Sequence, residues 1–169
     1  FFFFLGALIT DINQPIVLVT PEGREQETIT RLARVGYDNT LGYLAGSMQS
    51  WIDAGFETAA IGRITATELE TLMNNGEESV IDVRKPGEYN AAHIANVPNL
   101  PLDFINEHIA DFPSQKTTYL HCAGGYRSMI AASILKARGF HNMIDVIGGF
   151  GQIKNTGLPI VTQECTSTC

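Results

Sequence analysis

Short continuous apolar runs alternate along the chain with stretches in which apolar residues recur every three or four positions. The first pattern suits buried strands and the second suits helices lying on a sheet. Ile16 to Thr20 (IVLVT) predicts a strand, Arg24 to Val35 a helix closed by Gly36, Thr40 to Leu44 a second strand, and Met48 to Ala54 a short helix. Phe56 to Arg63 has no periodicity and reads as a linker. Beyond it, Thr65 and Glu68 have the spacing of a capping box and open a helix to about Met73, stopped by Asn74, Asn75 and Gly76. Ser79 to Val83 predicts a strand, Pro86 to Tyr89 a single helical turn, Leu102 to Phe112 a helix ended by Pro113, and Thr117 to His121 a strand. Cys122 to Arg127 is a glycine-containing loop, Ser128 to Arg138 a helix closed by Gly139, and Asn142 to Ile147 a last strand before Gly148, Gly149 and a short helix to Asn155. Strands alternating with helices predict an α/β fold with a central, mainly parallel sheet.

The same pattern occurs twice. LARVGYDN at Leu32 to Asn39 parallels LKARGFHN at Leu135 to Asn142, and YLAG at Tyr43 to Gly46 meets VIGG at Val146 to Gly149 at the same offset. The second unit has a helix, a strand and a helix ahead of its glycine loop; the first has only the residues before Ile16 there. Residues 1–62 therefore read as an incomplete unit, 63–162 as a complete domain and 163–169 as a flexible tail. A length of 169 residues fits this division, since a domain typically takes roughly 100 to 200. Phe1 to Leu5 is an apolar run cut short by Asp11, well below the roughly 20 residues of a membrane helix, and is expected to be the cut edge of a longer polypeptide.

Composition narrows the functional classes. With 44% hydrophobic and 17% charged residues the chain can bury a core. Lys plus Arg total 11 against 18 Asp plus Glu, a formal charge of -7, so neither nucleic acid nor a membrane is an expected partner. The four His are scattered and form no ligand cluster, so no metal is expected. Cys122, Cys165 and Cys169 do not make a disulfide framework, which suits a reducing, cytoplasmic setting.

Cys122 stands where chemistry is expected, on a strand-to-helix loop at the C-terminal edge of a parallel sheet. Loop N–H groups and the helix N-terminus favour its thiolate, and such cysteines have pKa values lowered to about 3.5–7.5. Gly124 and Gly125 let the loop curl, and Arg127 adds a fixed positive charge. A purely structural, buried cysteine is the alternative reading.

The run IDVRKPGEYNAAHI at Ile81 to Ile94, then NLPL at Asn99 to Leu102, HCAGGYRS at His121 to Ser128, and Gly148-Gly149 resembles the rhodanese-like sulfurtransferase family, over about Ile64 to Val161. The resemblance implies a three-layer α/β/α fold and a Cys122 that carries a sulfane sulfur as a covalent persulfide, with no other cofactor. It implies passage of that sulfur from a small donor such as thiosulfate or a persulfide to cyanide or a thiol. Ala123, Gly124, Gly125, Tyr126, Arg127 and Ser128 would form the substrate-binding loop, with Arg127 on an anionic donor. Asp82, Arg84 and Glu88 match supporting positions. Arg84 and Glu88 are expected to form an ion pair, and Asp82 to meet Arg127 or the loop. His93 matches the family's His, with Ala92 in place of the preceding Gly. His121 should point away from Cys122, and His108 and His141 read as surface residues.

Two alternatives stay open. Phosphatases and arsenate reductases of the same fold share the His-Cys and the later Arg, but with a longer loop; here only Ala123, Gly124, Gly125 and Tyr126 intervene. A non-catalytic docking or regulatory module is the other. The first unit fits that description, because Thr20 falls at the place of Cys122 and Glu25 at that of Arg127. The arrangement also resembles the C-terminal part of proteins in which a hydrolase or persulfide dioxygenase domain precedes tandem rhodanese-like units. An upstream hydrolase domain and a homodimer are thus the expected partners, and Cys165 and Cys169 candidate relay thiols.

Overall fold

The computed structural model describes residue 9 and residues 11–76 and 79–162. The phenylalanine run and the tail with Cys165 and Cys169 lie outside the described residues. The chain forms two compact units, 1–60 and 61–169. In the first, β1 (Ile16–Leu18) and β2 (Thr40–Tyr43) pair in parallel, with α1 (Glu25–Ala33) between them and α2 (Ser47–Asp53) after. Glu25 and Glu27 sit in the first turn of α1, where the helix dipole favours negative charge. Leu18, Leu32 and Tyr37 are buried with Ile9, Ile16 and Ile29 against them. Alternation along the strands leaves Val17, Val19, Leu41 and Tyr43 exposed.

The second unit is built on a four-stranded parallel sheet in the order β3 (Gly62–Ile64), β7 (Met143–Val146), β6 (Thr118–His121), β4 (Ser79–Asp82). Three helices flank it: α3 (Ala66–Asn74), α5 (Tyr126–Ala137) and α6 (Gly149–Ile153). Val80, Tyr119 and Val146 on one face pack with Ala66 and Leu69 of α3 and Ile153 of α6. On the other face α5 buries Ser128, Ala131, Ala132 and Leu135, the spacing of one helical stripe, against β6 and β7. The expected α/β architecture with a central parallel sheet is present. The capping box also forms: the Thr65 hydroxyl accepts the Glu68 N–H at 3.2 Å, and the Glu68 carboxylate accepts the Thr65 N–H at 2.7 Å.

Three features differ from the sequence expectation. Gly62–Ile64, whose first two residues were expected as linker, is an edge strand because β7 supplies its hydrogen bonds; a three-residue edge segment containing Gly and Arg carries no apolar pattern of its own. The helix expected over 102–112 is two 3-10 turns, Leu102–Phe104 and Ile109–Asp111. Leu102, Ile105 and Phe112 are buried as the stripe requires, and a three-residue repeat serves a 3-10 turn as well as an α-helix. Lastly, α4 (Pro86–Ala91) runs directly into β5 (Ala92–Ile94), which pairs antiparallel with β8 (Ile160–Thr162), a long-range contact with no local signal. Ala92 is extended at φ -164, a conformation open to any residue, so it stands without strain where the family pattern has Gly.

Replacing Thr65 by Ala should lower the stability of the second unit by about 1 kcal/mol. A urea unfolding midpoint equal to that of the native chain would show that the cap adds nothing.

Candidate active site

Cys122 follows β6 directly and is 1% exposed. The chain turns at Gly125, whose φ of +92 favours glycine, and enters α5 at Tyr126. Tyr126 and Arg127 therefore belong to the first helical turn rather than to the loop proper. The Gly125 N–H donates to Cys122 Sγ at 3.2 Å, and Ser128 Oγ lies 3.5 Å from the same sulfur. Burial pushes the thiol up. Hydrogen bonds from the Ser128 hydroxyl and from the N–H groups of Ser128, Gly124 and Gly125 outweigh it, and the thiol lies below its ordinary range.

A second loop holds the first. The N–H of Phe150 donates to the Cys122 carbonyl at 2.6 Å and that of Gly151 to the Ala123 carbonyl at 2.9 Å. Gly149 sits against the Cys122 carbonyl at φ +52, where a Cβ would fall 2.3 Å from its oxygen. Only glycine fits, and the Gly148-Gly149 pair thereby gains a physical reason.

The charged residues pair differently from expectation. Arg127 makes a bidentate contact with Glu88, Nη1 to Oε2 at 2.5 Å and Nη2 to Oε1 at 2.8 Å. That contact holds the Glu88 carboxyl below its ordinary value and raises Arg127, with a smaller contribution to Arg127 from Cys122. Arg84 pairs instead with Asp82, its Nη2 at 2.6 Å from Oδ2 and its Nε at 2.8 Å from the same oxygen. Arg84 is 4% exposed and needs a buried counter-charge, which Asp82 at 0% supplies from two residues away, whereas Glu88 is a partly exposed group on α4. Arg84 also donates to the Ala92 carbonyl at 2.7 Å and lies 4.0 Å above the centre of the Phe150 ring. Asp82 thus supports Arg84 and does not meet Arg127.

The histidines take no part at the sulfur. His121 is fully buried on the opposite side of its strand; neither ring nitrogen has a hydrogen-bond partner, and burial holds it neutral. His93 places Nδ1 2.9 Å from the Tyr89 carbonyl and stacks on the Tyr89 ring. His108 pairs with Asp111, and His141 is exposed.

Three residues that support the loop and its Ser128 escaped the sequence reading: Asp145, Arg63 and Phe150. Asp145, fully buried on β7, accepts the Ser128 hydroxyl at 2.6 Å and Arg63 Nε at 3.0 Å. A carboxylate inside the apolar run MIDV was the available signal, since a buried charge requires partners. Among the described residues no group of three or more His, Cys, Asp or Glu is placed to hold a metal ion, and no helix is long and apolar enough to cross a membrane.

Residues 65–156 match the family described as Rhodanese-like domain. The chain is similar to the probable adenylyltransferase/sulfurtransferase MoeZ of Mycobacterium tuberculosis, 33% identical over 100 residues that make up 57% of this chain and 26% of that protein. It is also similar to the uncharacterized protein YqhL of Bacillus subtilis, 33% identical over 94 residues, 53% of this chain and 75% of that one. The crystal structure of a rhodanese-like domain protein from Staphylococcus aureus superposes with a TM-score of 0.54 at 30% identity, covering 60% of this chain and 100% of that one. The match therefore spans about a quarter of the length of MoeZ, and the family match at 65–156 lies in the second unit.

Because Glu88 has a lower pKa folded than unfolded, its pair with Arg127 contributes in full above the ordinary value of 4.5 and is lost as pH falls through the folded value. The pair is partly exposed, so Glu88→Gln should cost less than about 1 kcal/mol at pH 7. Unfolding free energies of the two proteins should converge as pH falls below 4.5 and through the folded value. A constant difference across that range would show that the charge of Glu88 is not what stabilises.

Proposed function

The chain belongs to the rhodanese-like domain family, and on that premise we propose that it is a sulfurtransferase working through a persulfide on Cys122. The observation that carries this reading is one buried sulfur that accepts the Gly125 N–H at 3.2 Å beside Ser128 Oγ, at the head of α5. Cys122 as thiolate attacks the outer sulfur of a donor; the new S–S bond forms as the donor's own bond to that sulfur breaks, and the leaving group departs with the electron pair. The terminal sulfur of the persulfide then carries the negative charge, which the loop N–H groups stabilise. An acceptor, cyanide or a thiol, attacks that sulfur and returns Cys122 to its thiolate. The covalent persulfide is the only carrier the scheme needs.

The pairing of Arg127 bears on the donor. An anionic donor such as thiosulfate has to share the guanidinium with Glu88, whereas a persulfide donor needs no such contact. We read Tyr126, 47% exposed on the first turn of α5, as a residue that lines the approach to the sulfur. With Ala123, Gly124, Gly125 and Tyr126 alone between Cys122 and Arg127, the short loop favours a single sulfur over a tetrahedral oxyanion and argues against phosphatase or arsenate reductase chemistry.

The first unit supports a second, non-catalytic role within the same chain. Thr20, in the place of Cys122, cannot hold a persulfide, and Glu25, in the place of Arg127, repels an anionic donor. We read the first unit as an incomplete, inactive rhodanese-like unit, with an upstream hydrolase or persulfide dioxygenase domain or a second copy of the chain as its partner. A reducing, cytoplasmic compartment suits an enzyme that depends on a free thiol.

Cys122→Ser should reduce thiocyanate formation from thiosulfate and cyanide to the uncatalysed background. Residual enzymatic turnover in that variant would place the chemistry elsewhere.

A further inference from the structure

We propose that Asp145 is a positioning residue that controls the protonation of Cys122 through the hydroxyl of Ser128. The inference rests on the Cys122 reading above, and on one fact of chemistry: a serine hydroxyl has one proton to give. Two groups compete for it. Asp145 Oδ1 lies 2.6 Å from Ser128 Oγ, within the range of a charge-assisted O–H···O bond, and Cys122 Sγ lies 3.5 Å away on the other side. All three residues are buried, at 0% exposure for Asp145 and Ser128 and 1% for Cys122, so water does not stand in for a missing donor.

The Ser128 hydrogen bond that lowers the thiol forms once the hydroxyl turns to the thiolate; while Cys122 is a thiol, the shorter contact takes the proton and Ser128 presents a lone pair to the sulfur. That arrangement suits a thiol, which donates S–H to Ser128 Oγ. When Cys122 releases its proton to solvent, the S–H bond breaks and the sulfur keeps the electron pair. Ser128 then serves either the new thiolate or the carboxylate, and one buried anion loses a donor. The backbone N–H groups of the loop favour the thiolate without competition; the Asp145–Ser128 pair opposes it. On sulfur loading Sγ becomes neutral and the charge moves to the terminal sulfur. Ser128 then serves Asp145 without conflict, so the pair disfavours the empty thiolate relative to the persulfide.

The charged groups around this chain are few. Arg63 from β3 holds Asp145 Oδ2 at 3.0 Å and is itself half exposed, and Arg127 from α5 bears on Cys122 while bound to Glu88. His121 on β6 and the Asp82–Arg84 pair at the end of β4 lie across the sheet from Asp145, since Asp145 is in register with Leu120 and the side chain of His121 alternates to the other face.

The pH dependence of iodoacetamide alkylation, followed in full-length protein carrying Cys165→Ser and Cys169→Ser, tests the proposal. Cys122 is then the only one of the three cysteines left. Asp145→Asn should lower the midpoint of the alkylation profile by about one pH unit, by freeing the hydroxyl for the thiolate. Arg63→Gln should raise it, because Asp145 then depends more on Ser128. Both shifts should shrink to a small fraction in a Ser128→Ala background. An unmoved or raised midpoint in Asp145→Asn would overturn the proposal, as would a shift of equal size without the hydroxyl, which would reveal the direct field of the carboxylate instead. If Asp145→Asn does not fold, Arg63→Gln with and without Ser128→Ala decides by the same criteria. Alkylation reads the sulfur's protonation whether or not sulfur is transferred, so failure here and failure of the sulfurtransferase reading are distinguishable.

Discussion

The site depends on a single close approach between two backbones. Gly149 lies so near the Cys122 carbonyl that any side chain at that position would collide with it, and the N–H groups of Phe150 and Gly151 bind the carbonyls of Cys122 and Ala123. With its carbonyls fixed from one side, the loop has its N–H groups free to face the sulfur on the other. The two loops leave adjacent parallel strands, β6 and β7, at their C-terminal ends, so the sheet brings them together before any side chain is considered. Preorganised amides of this kind require no rearrangement when charge develops on sulfur.

Side-chain charges then reinforce the frame in separate pairs. Asp82 with Arg84 is buried beneath the Phe150 ring and ties the end of β4 to the second loop. Glu88 with Arg127 links α4 to the first turn of α5 at the rim. Asp145 with Arg63 anchors Ser128 from below. Each buried member has a partner, as burial demands, and each pair ties down a different element of the second unit. The fold therefore supplies position, the amides supply the field, and Ser128 is the point at which a buried carboxylate reaches Cys122.

Much of this was legible in the residues. The alternation of apolar runs and helical stripes was enough for a parallel sheet, and the Thr65–Glu68 spacing was enough for the cap. Cys122, its glycines and the strand-to-helix turn announced the site. The failures share a cause. β3, β5 and β8 are three-residue strands whose conformation comes from distant partners, and no local pattern encodes them. The partners of Arg84 and Glu88 followed from burial, which sequence spacing does not reveal: proximity in the chain suggested Arg84 with Glu88, while the buried guanidinium required the buried Asp82. Asp145 was visible as a carboxylate within an apolar strand, yet its connection to Ser128 exists only once β7 and α5 are packed.

The claim that Cys122 is a sulfur carrier is tested most directly by mass. After incubation with thiosulfate, and separately with glutathione persulfide, the intact protein should gain one sulfur atom. Digestion without reductant should place that atom on the peptide containing Cys122. A chain that gains no sulfur from either donor, or that carries it on a peptide lacking Cys122, would contradict the account.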